Sequence, residues 1–320
     1  MGEWLESLVP WGTEVLVQIQ FYADAWVITL FALISPLGSE PFYVILLPVI
    51  YWCVSRRIGV GLGILSLSSA WLNSTIKYIF AIPRPADPRL DISYPETSPS
   101  FLSGHAQGAA VNWGYLAIRL RSNAFRVVAI VLIVAIGLSR MVLAVHFPQD
   151  VIAGWLVGLG LLALFVWAEP RAGRWIGALH PAVQIGLAVA LSVVLIFLHP
   201  ADTEGLYPAE GAITPAASLA GLGVGVVMER AWVRFRADGA WGKRALRLVV
   251  GLIIVGILYV GPRLILPESM PYGLEATLRF VRYAVLGWAV AFPCPWLFVR
   301  LGLAEQEGND SQGTGASPQV

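Results

Sequence analysis

Three short stretches collect the residue types that handle phosphate. The first is KYIFAIPRP over 77–85, with Lys77, Arg84 and Pro85. The second is Ser103, Gly104 and His105. The third runs from Ser139 and Arg140 through His146 to Asp150. Lys and His are scarce in this chain: Lys occurs only at 77 and 243, and His only at 105, 146, 180 and 199. Lys77, Arg84 and Arg140 supply three cations. An Arg fork matches phosphate oxygens in pairs, and Lys acts as a point charge. Backbone N–H groups around Gly104, at the start of a predicted helix, add an anion seat that needs no side chain. Two His beside such a seat divide into a nucleophile and a general acid. Asp150 follows His146 by about one helical turn, where it can hold one ring nitrogen and leave the other as an attacking lone pair. The chemistry these residues suit is phosphoryl transfer.

The elements that must position them are membrane helices. Of the 320 residues, 57% are hydrophobic and 13% charged, against roughly 25% charged in a soluble domain. The mean hydropathy is +0.72. So few charges cannot cover a water-exposed surface, and the chain reads as an all-α polytopic membrane protein. A net charge of +1 gives no sign of a nucleic-acid partner. Cys53 and Cys294 form neither a disulfide framework nor a metal spacing. No cluster of Asp, Glu, His and Cys has metal-ligand spacing, so neither metal nor cofactor is expected. Nothing in the sequence sets an oligomeric state.

Residues 1–20 alternate apolar and acidic positions and predict an amphipathic segment at the interface. Apolar runs follow at 21–38, 39–55, 58–81, 105–120, 126–145, 148–168, 175–199, 212–231, 246–266 and 276–299. Most approach the roughly 20 residues that cross a bilayer, and the expected count is ten spans. The division is a six-span core over 21–170, about four further transmembrane helices over 171–303, and a polar disordered tail over 304–320. A cytoplasmic N-terminus with alternating spans places 14 of the 21 basic residues inside, in line with retention of positive charge there. The same parity puts Lys77, Arg84, His105, Arg140, His146 and Asp150 together on the outer face. Of the other outer charges, Arg263, Arg279 and Arg282 read as snorkelling anchors, and Asp202, Glu204 and Glu210 as a solvated loop. His180 and His199 read as structural, and Gly154/Gly158 and Gly221/Gly225 as helix-packing pairs.

The three stretches resemble the signature of the type 2 phosphatidic acid phosphatase family, integral-membrane lipid phosphate phosphatases: K-x6-R-P, then P-S-G-H, then S-R-x5-H-x3-D. The first and third parts match fully. In the second, Leu102 stands where the family has Pro. The resemblance covers about 60–170. It implies that His146 attacks phosphorus to form a phosphohistidine and that Asp150 orients it. His105 would protonate the leaving group and then activate water. Lys77, Arg84, Ser103, Gly104 and Arg140 would hold the phosphoryl oxygens without a metal. The expected function is lipid phosphate or diphosphate hydrolysis at the outer leaflet of a bacterial-type plasma membrane. Polyprenyl diphosphate is the first choice; phosphatidic acid, phosphatidylglycerophosphate and sphingoid phosphate are the alternatives. A non-catalytic lipid-phosphate binding or transport protein is opposed by the intact His105, His146 and Asp150. A vanadium haloperoxidase, with a similar anion site, is opposed by the apolar spans.

Overall fold

A computed structural model of the chain describes residues 2–92, 96–265, 267 and 270–307, the side chain of Arg263 aside. The helices are α1 (Gly2–Ser7), α2 (Val9–Tyr22), α3 (Ala25–Ile34), α4 (Glu40–Cys53), α5 (Arg56–Phe80), α6 (Gly104–Leu120) and α7 (Asn123–Val142). They continue as α8 (Pro148–Gly177), α9 (Pro181–Leu198), α10 (Glu210–Trp232), α11 (Trp241–Ile265), α12 (Tyr272–Ala291) and α13 (Pro293–Arg300). Local chemistry sets many of the starts. Ser55, Ser103 and Ser122 accept hydrogen bonds from first-turn N–H groups of α5, α6 and α7. Pro148 and Pro181 open α8 and α9, where a missing N–H costs nothing.

Among the described residues six helices are long and apolar enough to cross a bilayer, or seven if a bent pair counts as one span. The expected ten runs are therefore not ten equivalent spans. α4 has 14 residues and α6 has 17. α5 is long but carries Ser, Asn and Lys on its buried side, which lowers its hydropathy. The run 21–38 differs most. The N-terminal helices and the α3 segment through Gly38 meet at 116°. Both sit at the end of the molecule that holds Lys77 and His146. Gln20 donates to the carbonyls of Asp91 (2.9 Å) and Val142 (3.1 Å), and Arg89 pairs with Glu14 at 2.6 Å. The turn Ser35–Gly38 packs against Ile136 and His105. This corrects the expected parity at its first step, because α2 lies with the site and not with the basic end. From α4 to α12 the helices run alternately between the two ends, so the partition of the later basic residues stands.

At the opposite end, Arg56 joins the start of α5 to Glu229 of α10 (3.0 Å) and to Glu307 (2.9 Å). Leu303 and Ala304 are buried, Arg236 N–H donates to the Glu305 carbonyl, and Phe235 bridges to Gln306. Residues 304–307 thus belong to the fold; the rest of the expected tail, 308–320, lies outside the described residues. Glu210, expected to be solvated, pairs with Arg279, as does Glu275 at 2.8 Å. His199 is buried, its Nε2 2.9 Å from the Ser74 hydroxyl.

Two glycine stripes set the close helix contacts. A Cβ at Gly154 would come 2.7 Å from the Ser103 carbonyl, and one at Gly158 would come 2.8 Å from that of Gln107, so α8 lies directly on α6. Gly221 and Gly287 do the same for α10 and α12.

Candidate active site

The third stretch is one folding unit. The Arg140 carbonyl ends α7 by accepting the N–H groups of Val145 (3.1 Å) and His146 (3.2 Å). The chain turns at Ala144, with φ of 51°, and α8 starts at Pro148. The Asp150 carboxylate accepts the Phe147 N–H at 3.0 Å, closing the first turn of α8. The spacing Arg140, His146, Asp150 is therefore the geometry of a helix end, a tight turn and a helix start.

The second stretch is tied to the third. Ser103 N–H donates to the Asp150 carbonyl at 3.0 Å, and the Ser103 hydroxyl caps α6 through Ala106 N–H. Both polar groups of Ser103 are thus committed to positioning. The first-turn N–H groups of Gly104 and His105 have no carbonyl within the helix to bond and are the donors available to an anion. Leu102, in place of the family Pro, is buried, and its carbonyl accepts from Asn73 Nδ2 at 3.3 Å. Asn73 also donates to Gln107 (2.9 Å), and Gln107 to Ser69 (2.9 Å), so hydrogen bonds to α5 hold this loop.

The cations converge on the third stretch. Arg84 Nη1 donates to the Val145 carbonyl (2.7 Å) and to His146 Nε2 (3.2 Å). Lys77 is buried at the end of α5 and donates to the Pro99 carbonyl (2.6 Å) and the Ser98 hydroxyl (3.2 Å). Ser98 also receives Arg84, through its carbonyl at 2.7 Å and its hydroxyl at 3.0 Å. Arg140 donates to the Ser35 hydroxyl at 2.6 Å. Glu96 binds both arginines, Arg84 at 2.6 Å and Arg140 on its other oxygen. His105 stands beside Gly38 and has no hydrogen-bond partner among the described residues.

His146 is 1% exposed, and the partners of its ring define its state. Arg84 can only donate, so Nε2 carries the lone pair. Nδ1 then carries the proton and faces Asp150 Oδ2 and Ser100 Oγ, each at 3.4 Å. Ser100 in turn donates to Asp150. Burial, and then the charges of Lys77, Arg84 and Arg140, hold the imidazole below the usual histidine range. The arrangement is a neutral imidazole whose lone pair faces a cationic seat, with a carboxylate behind it.

All eight sequence-predicted site residues lie in this region, with Ser103 as a helix cap. Sequence reasoning missed Ser35, Asn73, Glu96, Ser98 and Ser100. Glu96, Ser98 and Ser100 fall within the loop between Pro85 and Ser103, which supplied a signal only in being polar.

Residues 58–174 match the PAP2 superfamily, and residues 213–306 match its phosphatase transmembrane extension. The chain belongs to the PAP2 superfamily. Its signature residues are those that build the seat; the first matched region spans α5 to α8 and the second α10 to α13. A dihydrosphingosine 1-phosphate phosphatase of Schizosaccharomyces pombe is 27% identical over 70% of this chain and 58% of its own length. Sphingosine-1-phosphate phosphatase 1 of Mus musculus is 24% identical over 86% of this chain and 72% of its own. An undecaprenyl-diphosphatase of Sulfolobus acidocaldarius is 28% identical over 51% of this chain and 81% of its own.

Proposed function

We propose that the chain hydrolyses a lipid phosphate monoester through a phosphohistidine on His146, at the membrane face opposite the basic loops. The observation that carries this is the position of His146 Nε2, 3.2 Å from Arg84 with its lone pair toward the seat. In the first step Nε2 bonds to phosphorus, and the bond to the ester oxygen breaks. His105 delivers the proton that makes the leaving group an alcohol. In the second step His105 takes a proton from water, the water oxygen bonds to phosphorus and the P–N bond breaks, releasing phosphate. Lys77, Arg84 and Arg140 balance the charge on the equatorial oxygens, the task given to Mg²⁺ in many phosphoryl-transfer enzymes. Asp150 supports the positive charge that develops on the imidazole.

A sphingoid phosphate is the favoured substrate. The relatives that align along 70% and 86% of this chain carry that activity in their names. The undecaprenyl-diphosphatase aligns along 51%. This moves the first choice away from polyprenyl diphosphate, which stands as the second reading. The test is phosphate release by the purified protein from a panel holding both lipids, with EDTA present. Turnover of the sphingoid phosphate in EDTA is expected. Turnover of the diphosphate alone would select the second reading, and turnover of neither would overturn both. Orientation is tested with Cys53 and Cys294 replaced. A cysteine at Arg89 should react with an impermeant reagent in intact cells, and one at the exposed Ala240, in the loop before α11, only after lysis. The reverse pattern would turn the site to the cytoplasm.

A further inference from the structure

Every contact that Arg84 and Arg140 make on the open side of the seat is with one segment. Glu96 spans the two guanidinium groups, one carboxylate oxygen to each, while Ser98 accepts from Arg84 Nε and Nη2 and also from Lys77. A carboxylate across two arginines stands where two phosphoryl oxygens would bind. Its side chain is 33% exposed, against 5% for Arg140 and 11% for Arg84, so it lies at the mouth with the cations behind it. Neither the family signature nor the catalytic sequence above uses it.

We infer that Glu96 is a specificity-determining residue: it holds the phosphoryl seat as an internal anion and, once displaced, presents its carboxylate to the leaving group. A phosphoryl dianion carries more charge than the carboxylate and takes over both arginines. The displaced carboxylate stays at the mouth, because its backbone is held two residues from Ser98. There it accepts from an ammonium or hydroxyl beside the ester oxygen, and it repels a second phosphoryl group. The residue therefore favours monoesters of amino alcohols and polyols over diphosphates. Discrimination of this kind works by penalising the wrong partner as well as by rewarding the right one.

The substrate consequence rests on the reading proposed above; the internal-anion part does not. The test compares wild type with Glu96→Gln and Glu96→Ala as purified full-length proteins. The first measurement is binding of inorganic phosphate by calorimetry. Removing the internal competitor should tighten binding by about tenfold, the equivalent of 1.4 kcal/mol. The second measurement is kcat/KM for three lipids: a sphingoid base 1-phosphate, the same lipid with its amine acylated, and a polyprenyl diphosphate. Both substitutions should reduce the preference for the free amine, and raise the diphosphate relative to the monophosphate, by roughly 10- to 100-fold, the range of one charge interaction near a protein surface. Unchanged phosphate affinity would remove the internal anion. Tighter phosphate binding with unchanged lipid ratios would remove the selectivity. A wild type inactive on all three lipids would sink the proposed function and the selectivity with it, while the phosphate measurement would still decide whether Glu96 occupies the seat.

Discussion

Arg140 in the phosphatase region and Arg247 in the extension are the same residue type at nearly the same burial, 4% and 1% exposed. Their partners separate them. Arg247 donates to five backbone carbonyls, those of Leu303 (2.8 Å), Trp52 (3.0 Å), Arg236 (3.3 Å), Ala237 (2.8 Å) and Asp238 (2.6 Å). Those acceptors are fixed by the fold and cannot be exchanged for a ligand. Arg140 is held by a serine hydroxyl and by Glu96, a side chain one third exposed, and its Nε has no partner among the described residues. A buried cation marks a binding site when its acceptors can leave. It marks a structural clip when they are main-chain carbonyls closing helix ends and loops. In the sequence, Arg247 is one of the 14 basic residues assigned to the inner side, with nothing to set it apart.

The largest effect should come from breaking the chemistry of the phosphatase region. His146→Ala should lower phosphate release by roughly 10⁵-fold or more, as loss of a covalent nucleophile does elsewhere. Asp150→Asn keeps the shape, loses the charge behind the ring and should leave a residual rate, lower by roughly 10²- to 10⁴-fold. Turnover near wild type for His146→Ala would end the mechanism.

The two arginines give the sharpest contrast. Arg140→Ala should cost roughly 10²- to 10³-fold in kcat, the usual loss for one preorganised charge, while thermal stability in detergent changes little. Arg247→Ala leaves a set of buried carbonyls unpaired and should destabilise by about 3–5 kcal/mol, with activity per folded molecule retained. Equal loss of stability in the two variants would erase the distinction between site and clip.

A smaller effect separates His146 from an ordinary histidine. Its protonated form is disfavoured by burial first and by the neighbouring cations second, so it should stay neutral to a pH below the usual 6.5. Lys77→Met removes one of those charges and should move the titration upward. NMR of protein labelled with ¹⁵N-histidine, without substrate, reads both the titration and the Nδ1–H tautomer. Titration of His146 at or above 6.5 would contradict the electrostatics of the seat.

Most of the site was legible because its residues lie at fixed offsets around helix ends. Lys77 ends α5, Ser103 caps α6, Arg140 ends α7 and Asp150 closes the first turn of α8, so local sequence already encodes their spacing. Glu96, Ser98 and Ser100 were not legible, because only the folded loop brings them to the cations. The bend before α4 was hidden for another reason. Residues 21–38 hold a single charge, Asp24, in an otherwise largely apolar run, and hydropathy cannot tell a straight span from a helix that turns back at the interface. The glycine pairs were visible as spacing, but their partners were not. The structure gives Gly154 and Gly158 to α6, which seats the start of α8 on the Ser103 loop.

The mechanism turns on a bond between His146 Nε2 and phosphorus. It is tested most directly by single turnover of a ³²P-labelled sphingoid 1-phosphate, quenched in alkali, where phosphohistidine survives, followed by peptide mapping. One transient label is expected, on the peptide carrying His146, at Nε2 and absent from His146→Ala. A label on another residue, or full phosphate release by the wild type with no protein-bound phosphorus at any time, would contradict it.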